Sequence, residues 1–330
     1  MLLQLGFKIE KAPSSKQYSL IGFAQGTTYA IKYISTKEVV SKLEIDSIFA
    51  IFNHSLSRYD KSSLLYKLNK PKYKAAIDSH LYKVLTYAQE MHAITNECFD
   101  YRLFPLMKLW GFGRQNKNAI PDTQKVIKLL EFIKSNDIKI NQLNIVKSSK
   151  RLELDLDGIA QGYCVDQLSN FLKQRGVRNY IIELGGEVFV SGTNAGYGFW
   201  EIGLGDTHEQ FDQKNQELIL SGMDQMAVTT SGNLQKYKKI GDQYFSHIID
   251  PRTGYPVQNG IVSVTVIAPT AMQADALDNA LMVMGIKESF EWSSKYSNIG
   301  FYISYINPNG ELKDTANGYF KQFLKTKTWN

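Results

Sequence analysis

Between residues 18 and 34, β-branched and aromatic residues are broken by Gln25 and Gly26, which predicts two strands joined by a tight turn. The period then changes to a helical one. Val40, Leu43, Ile48, Ile51 and Phe52 recur at helical spacing over residues 37–54, and Leu81, Val84, Leu85 and Ala88 do so over 79–95. Gly111, Gly113 and Pro121 mark 111–122 as a loop and a candidate sub-domain junction, followed by a helix through Val126, Leu129, Leu130 and Ile133. Over 158–175, Ala160, Cys164, Leu168, Phe171 and Leu172 repeat every three or four residues, and Gly176 supplies a stop. Strands dominate 179–247, with Gly185, Gly186 and Gly222 between them. The run VSVTVIA (262–268) then leads into a helix that Thr270 and Gln273 open with a capping-box pattern and Gly285 closes. Strands and helices come in runs without strict alternation, so the expected class is α+β.

Composition narrows the partners. A chain of 330 residues, 43% hydrophobic and 12% aromatic, can bury a large core. Its 38 basic and 32 acidic residues are intermixed, so the formal charge of +6 describes a solvated surface and not a nucleic-acid groove. Cys98 and Cys164 lie far apart with no CxxC spacing, which argues against a zinc site and fits small core residues. MLLQLG is shorter than a signal core and no later stretch has transmembrane length. The expected organisation is an N-terminal extension over 1–17 and one domain over 18–330.

Several short segments carry candidate chemistry. Met272, Ala276, Ala280 and Val283 form an apolar stripe on the 270–285 helix, which leaves Asp275 and Asn279 one turn apart on another face. Two oxygen donors at i and i+4 suit magnesium, although a DxxxN pair taken alone also fits a solvated helix face. In DLDGIAQGYCVD, from Asp155, a strand passes into a helix at Asp157 and Gly158. Asp157 can cap the helix, the first amides can face an anion, and the Gly158 carbonyl is accessible to a cation. His247 in SHIID stands where a strand gives way to the DPRTGYP turn, at the sheet rim, and is the candidate general base. TTSGN, from Thr229, reads as a polar turn or an anion nest. Tyr29, Tyr59 and Phe99 could flank a flat ring, with core packing the default among 19 tyrosines.

These motifs, with QGTTYAIKY from Gln25, RYD from Arg58, CFD from Cys98, LWGFG from Leu109 and IELGGE from Ile182, together resemble the ApbE flavin transferase family, the FAD:protein FMN transferases. The resemblance implies a T-fold-like architecture of mixed or antiparallel sheet packed with helices. It implies magnesium-dependent transfer of FMN from FAD to a Thr or Ser hydroxyl of a partner protein, with release of AMP. It places the metal on Asp275, Asn279 and the Gly158 carbonyl, and FAD contacts on Gln25, Tyr59, Cys98, Phe99, Asp100, Asp155, Gln161 and Ile249. Catalytic roles fall on His247 and Asp275.

The implied acceptors are subunits of membrane redox complexes carrying a short Gly-Ala-Thr-like motif. The implied location is outside the cytoplasmic membrane, although no lipobox Cys stands near Met1. Gln161 stands where the family commonly has Lys or Glu, Asn233 where it has Asp, and Asn279 where it has Thr; the amide of Asn279 still offers an oxygen. Two other readings use the same residues: hydrolysis of FAD to FMN and AMP, and non-catalytic flavin binding.

Overall fold

The computed structural model describes residues 15–112, 119–204, 218–232, 238–240 and 243–325. The chain opens with β1 (Lys16–Ala24) and β2 (Thr27–Ser35), joined by a two-residue turn in which Gln25 (φ 51°) and Gly26 (φ 81°) are both left-handed. That turn type matches the twist of a hairpin, and Gly26 adopts it without a Cβ penalty. Helices α1 (Lys42–Leu56), α2 (Leu64–Leu68) and α3 (Ser79–Ile94) follow, with β3 (Lys74–Ala76) between the last two. After them come α4 (Phe104–Trp110), α5 (Thr123–Lys134), β4 (Ile138–Asn141), β5 (Asn144–Lys147) and α6 (Asp157–Gln174).

The remaining strands are β6 (Tyr180–Leu184), β7 (Glu187–Ser191), β8 (Ile202–Leu204), β9 (Leu218–Leu220), β10 (Met226–Gly232), β11 (Lys238–Ile240), β12 (Gln243–Phe245) and β13 (Ile261–Ala268). The long helix α7 (Ala271–Ser293), β14 (Gly300–Ile306), β15 (Leu312–Ala316) and α8 (Gly318–Lys321) complete the described chain.

Eight strands form one sheet in the order β1-β2-β6-β7-β10-β13-β14-β15, with every neighbouring pair antiparallel. One face packs against α1, α3, α6 and α7 in the main hydrophobic core, and the other carries a smaller cluster with Trp200, Ile202, Leu220 and Phe320. Strand β13 lies between the two, so all eight of its residues are buried, which explains a sequence apolar without strict alternation. This is the α+β class expected from the chain.

The boundaries show where local chemistry overrides the periodicity. The first helix starts at Lys42 and not at residue 37, because Ser41 and Glu44 form a reciprocal capping box that leaves Val40 in the preceding extended segment. In α6 the cap is not Asp157: Asp155 Oδ1 accepts from the Asp157 N–H at 3.0 Å, and Gly158 is still non-helical (φ −87°, ψ 21°). TTSGN is no turn, since Thr229 to Gly232 continue β10 and pair with β13.

Helix α7 does not stop at Gly285. It breaks there (φ 78°, ψ 175°) and resumes to Ser293. Nor does its first half show a stripe, because Ala274 through Asp278 and Ala280 through Met284 are all buried. A helix enclosed on nearly every side reads as apolar around its whole circumference.

Helices α6 and α7 meet at Gly162. A Cβ there would lie 2.2 Å from the Ala271 carbonyl oxygen and 2.8 Å from Asp275 Cβ. Gly162→Ala is therefore expected to cost ~3 kcal/mol by overpacking against backbone, measured as a lower denaturant midpoint at unchanged m-value.

Candidate active site

The start of α6 organises the site. Arg58, just after the C-cap Ser57 of α1, places NH1 2.9 Å from Asp155 Oδ2 and NH2 2.5 Å from Asp157 Oδ2. Its guanidinium carbon lies 4.8 Å from the ring centre of Tyr59 and 5.1 Å from that of Phe104. The Tyr59 hydroxyl donates to Asp157 Oδ2 at 3.2 Å, while about half of Tyr59 stays exposed. Burial first, and the nearby charge of Asp157 second, push the Asp155 carboxyl up to about 7; Arg58 and the Asp157 amide act in the opposite sense. Arg58 thus counters the buried Asp155 and the exposed Asp157 beside it, a pair of carboxylates that would otherwise repel a phosphate.

The next residue, Gly158, faces α7. A Cβ on Gly158 would lie 3.1 Å from Asn279 Nδ2 and 3.7 Å from its Oδ1, so the missing side chain is what lets the two helices bring these residues together. Asp275, 3% exposed, accepts the Gly162 N–H on Oδ2 at 2.8 Å. Asn279 Nδ2 donates at 2.9 Å to the Asp275 carbonyl and to Asp278 Oδ1, which commits the amide hydrogens and leaves Oδ1 as the acceptor of that side chain.

A carboxylate, a carboxamide oxygen and a backbone carbonyl are hard oxygen donors, and they fit magnesium. Among the described residues no group of three or more His, Cys, Asp and Glu side chains gathers as a metal site, consistent with a set that has only one carboxylate.

The β1–β2 turn reaches the same helix. Gln25 Nε2 donates to Cys164 Sγ at 2.8 Å. A Cβ on Gly185 would lie 2.7 Å from Thr27 Cγ2 and 3.1 Å from Gln161 Nε2, so the β6–β7 turn, the first hairpin and α6 converge.

The CFD segment is built differently from what its sequence suggests. Cys98 and Phe99 are buried at 2% and 6% exposure, so their side chains belong to the core. The Asp100 carboxylate is held by Arg102 through Nε at 2.9 Å and NH2 at 2.8 Å, and Arg102 NH2 also donates to His92 Nε2 at 2.9 Å. His92 Nδ1 in turn bonds the Phe99 carbonyl at 2.8 Å, which assigns the proton to Nδ1. Asp100 is thereby a structural anchor, and Tyr101 O, accepting from Asp155 N at 2.7 Å, ties this loop to the acidic pair. Burial raises the Cys98 thiol to about 12. Of the three aromatic candidates, Tyr29 is fully buried and bonded to Asp46, so only Tyr59 presents an open ring.

His247 follows the ribbon of β11 and β12 and not the main sheet, and it is half-buried. The chain beyond it folds into a tight hairpin: Asp250 N donates to Tyr255 O, Gly254 N to Asp250 O, and Ile249 bridges Pro256. Asn233 lies outside the described residues. A groove of about 460 Å³ opens elsewhere, between α3, α6 and the start of α7, with Tyr82, Tyr87, Asp166 and Lys173 on its walls. None of the candidate catalytic, FAD-binding or metal residues lines it.

The sheet and this oxygen-lined junction of two helices define an α+β protein built around a candidate phosphate and cation site. Comparison with known proteins gives the family. The ApbE family profile matches residues 25–303. The FAD:protein FMN transferase of Vibrio cholerae serotype O1 is 31% identical over 318 residues, covering 94% of this chain and 93% of that one. The enzyme of the same name from Haemophilus influenzae is 29% identical over 326 residues, 95% of this chain and 93% of the relative. The structure of the flavin transferase ApbE from Vibrio cholerae superposes with a TM-score of 0.82 at 30% identity, covering 94% of this chain and all of that one. The apo flavinyl transferase ApbE of Pseudomonas stutzeri gives 0.84 at 25% identity, with 95% and 98% covered. The chain belongs to the ApbE family.

Proposed function

We propose that this enzyme, an FAD:protein FMN transferase by family, forms a phosphoester between FMN and a Thr or Ser hydroxyl of an acceptor protein and releases AMP. The observation that carries the reading is the packing of Gly158 against Asn279 beside the buried Asp275. Gly158, Asp275 and Asn279 would hold magnesium, which when bound neutralises charge on the FAD pyrophosphate. The half-exposed ring of Tyr59 offers a stacking face for a flat ring of FAD. Gln25, Gln161 and Asp155 offer polar contacts around α6. The loop of Cys98, Phe99 and Asp100 supplies its backbone, since its side chains are committed elsewhere. Ile249 contributes an apolar wall.

The acceptor hydroxyl oxygen forms a bond to the phosphorus on the riboflavin side as the bond to the adenylate phosphate breaks. His247 takes the hydroxyl proton and AMP leaves. Subunits of membrane redox complexes are the proposed acceptors. No helix among the described residues is long and apolar enough to cross a membrane.

Incubation with FAD and magnesium, with and without an acceptor domain carrying a Gly-Ala-Thr segment, tests the reading through AMP release and acceptor mass. The expected result is a mass gain of one FMN that requires both acceptor and metal. Free FMN and AMP without acceptor would establish a hydrolase instead, and bound intact FAD alone a binding protein.

A further inference from the structure

The first half of α7, which carries Asp275 and Asn279, ends at the Gly285 break, where a helix leaves its last carbonyls without intrahelical donors. Two side chains from the segment just beyond His247 take those carbonyls. Arg252 NH2 donates to Val283 O at 3.1 Å, and Asn259 Nδ2 donates to Met282 O at 2.8 Å. The same guanidinium grips Asp250 through Nε (3.0 and 3.2 Å) and NH2 (2.9 Å), and reaches Glu288 in the second half of α7 through NH1 at 2.8 Å. Glu288 Oε1 lies 3.9 Å from Cys98 Sγ. One side chain therefore connects the hairpin after His247, both halves of α7 and, through Glu288, the CFD loop. A cation at a helix C-terminus is also electrostatically favoured there.

We propose that Arg252 is a positioning residue for the transfer reaction: it fixes the His247 hairpin to the C-terminal end of the helix bearing Asp275 and Asn279, and so sets the base relative to the metal ligands. The proposal rests on the reading of His247 and Asp275 given above. Arg252 itself touches no reacting atom. A planar fork can satisfy Asp250, Glu288 and Val283 O at once, whereas a lysine ammonium acts as a single point charge with no fixed plane.

Transfer kinetics of Arg252→Ala and Arg252→Lys, alone and in the His247→Ala background, test it. In otherwise wild-type enzyme, Arg252→Ala is expected to lower kcat about 30-fold and Arg252→Lys about 5-fold, with the Kd for FAD, read by flavin fluorescence, within twofold. In the His247→Ala background, Arg252→Ala is expected to add less than a twofold loss, because the residue acts through a base already removed. An unchanged kcat in Arg252→Ala would overturn the proposal. So would an equal loss with and without His247, or a parallel fall of kcat and FAD affinity in Arg252→Lys, either of which means general loosening. If His247→Ala alone retains full rate, it is the base assignment that fails, and the two failures are thereby told apart.

Discussion

Asp275→Asn is expected to reduce magnesium-dependent AMP release from FAD by about 1,000-fold while leaving the fold intact. The size follows from charge: a cation contributes several kcal/mol to a phosphoryl-transfer transition state, and each 1.36 kcal/mol is tenfold in rate. Asparagine is the informative substitution because Asp275 has a second duty. Its Oδ2 accepts the buried Gly162 N–H at 2.8 Å where α6 and α7 are in closest approach. Alanine would leave that donor unpaired at ~1–3 kcal/mol and mix a folding defect into the kinetics, whereas asparagine keeps an acceptor oxygen of the same reach. The checks are AMP release against magnesium concentration, FAD affinity without metal, and the melting temperature. A variant that keeps more than a tenth of the rate at the same magnesium requirement would remove Asp275 from the metal set.

How much of this was legible in the chain depended on whether the deciding interaction was local. The β1–β2 hairpin could be read because Gln25-Gly26 sits between two β-rich runs, and the turn chemistry is contained in those few residues. The start of α7 could be read for the same reason, with Thr270 Oγ1 accepting from Gln273 N at 3.2 Å. What could not be read was set by partners distant in sequence. Asp166 caps the same helix through Ala271 N and Met272 N, 105 and 106 positions away. Lys147, 1% exposed, donates to the carbonyls of Leu68 and Leu152 at 2.9 Å, and no local pattern announces a lysine buried among main-chain oxygens. The helix break at Gly285 looked like an end because Gly is the usual stop; the side chains that cap the broken turn come from the segment before β13.

The site divides in the same way. Gly158, Asp275 and Asn279 were each identifiable as chemistry-bearing residues, yet taken alone the pair on α7 fitted a solvated surface. Burial of Asp275 and the contact of Gly158 with Asn279 decide against that. The pairing of Arg58 with Asp155 and Asp157 has no local signature: RYD does not announce a clamp, and Asp157, a capping residue by type, lies inside the helix start with its own N–H bonded to Asp155 Oδ1. The one signal that could have found the clamp is charge arithmetic, since two aspartates flanking the buried Leu156 set like charges side by side, and the buried Asp155 in particular calls for a cation. Asp100 adds a partner that its motif does not announce: a carboxylate in a family motif reads as a ligand contact, and in the fold it is also chelated by Arg102 two residues later.

His247→Ala is expected to lower the rate of FMN transfer to an acceptor hydroxyl by about 100-fold to 10,000-fold, the range for loss of a positioned base. The affinity for FAD should change little, because the imidazole is assigned to the acceptor hydroxyl and not to FAD, so its loss falls on the chemical step. Phosphoryl transfer has a loose transition state with little bond formation to the nucleophile, so proton removal matters most in forming the final phosphoester, and the loss should lie towards the lower end of that range. The ratio of wild-type to variant rate should shrink at acid pH, where a protonated imidazole can no longer accept the hydroxyl proton. Single-turnover transfer over a pH series, with acceptor mass as the readout, separates this from a structural defect. A packing defect would lower the variant's rate by the same factor at every pH, and that outcome would assign His247 to the architecture of the hairpin instead of to proton transfer.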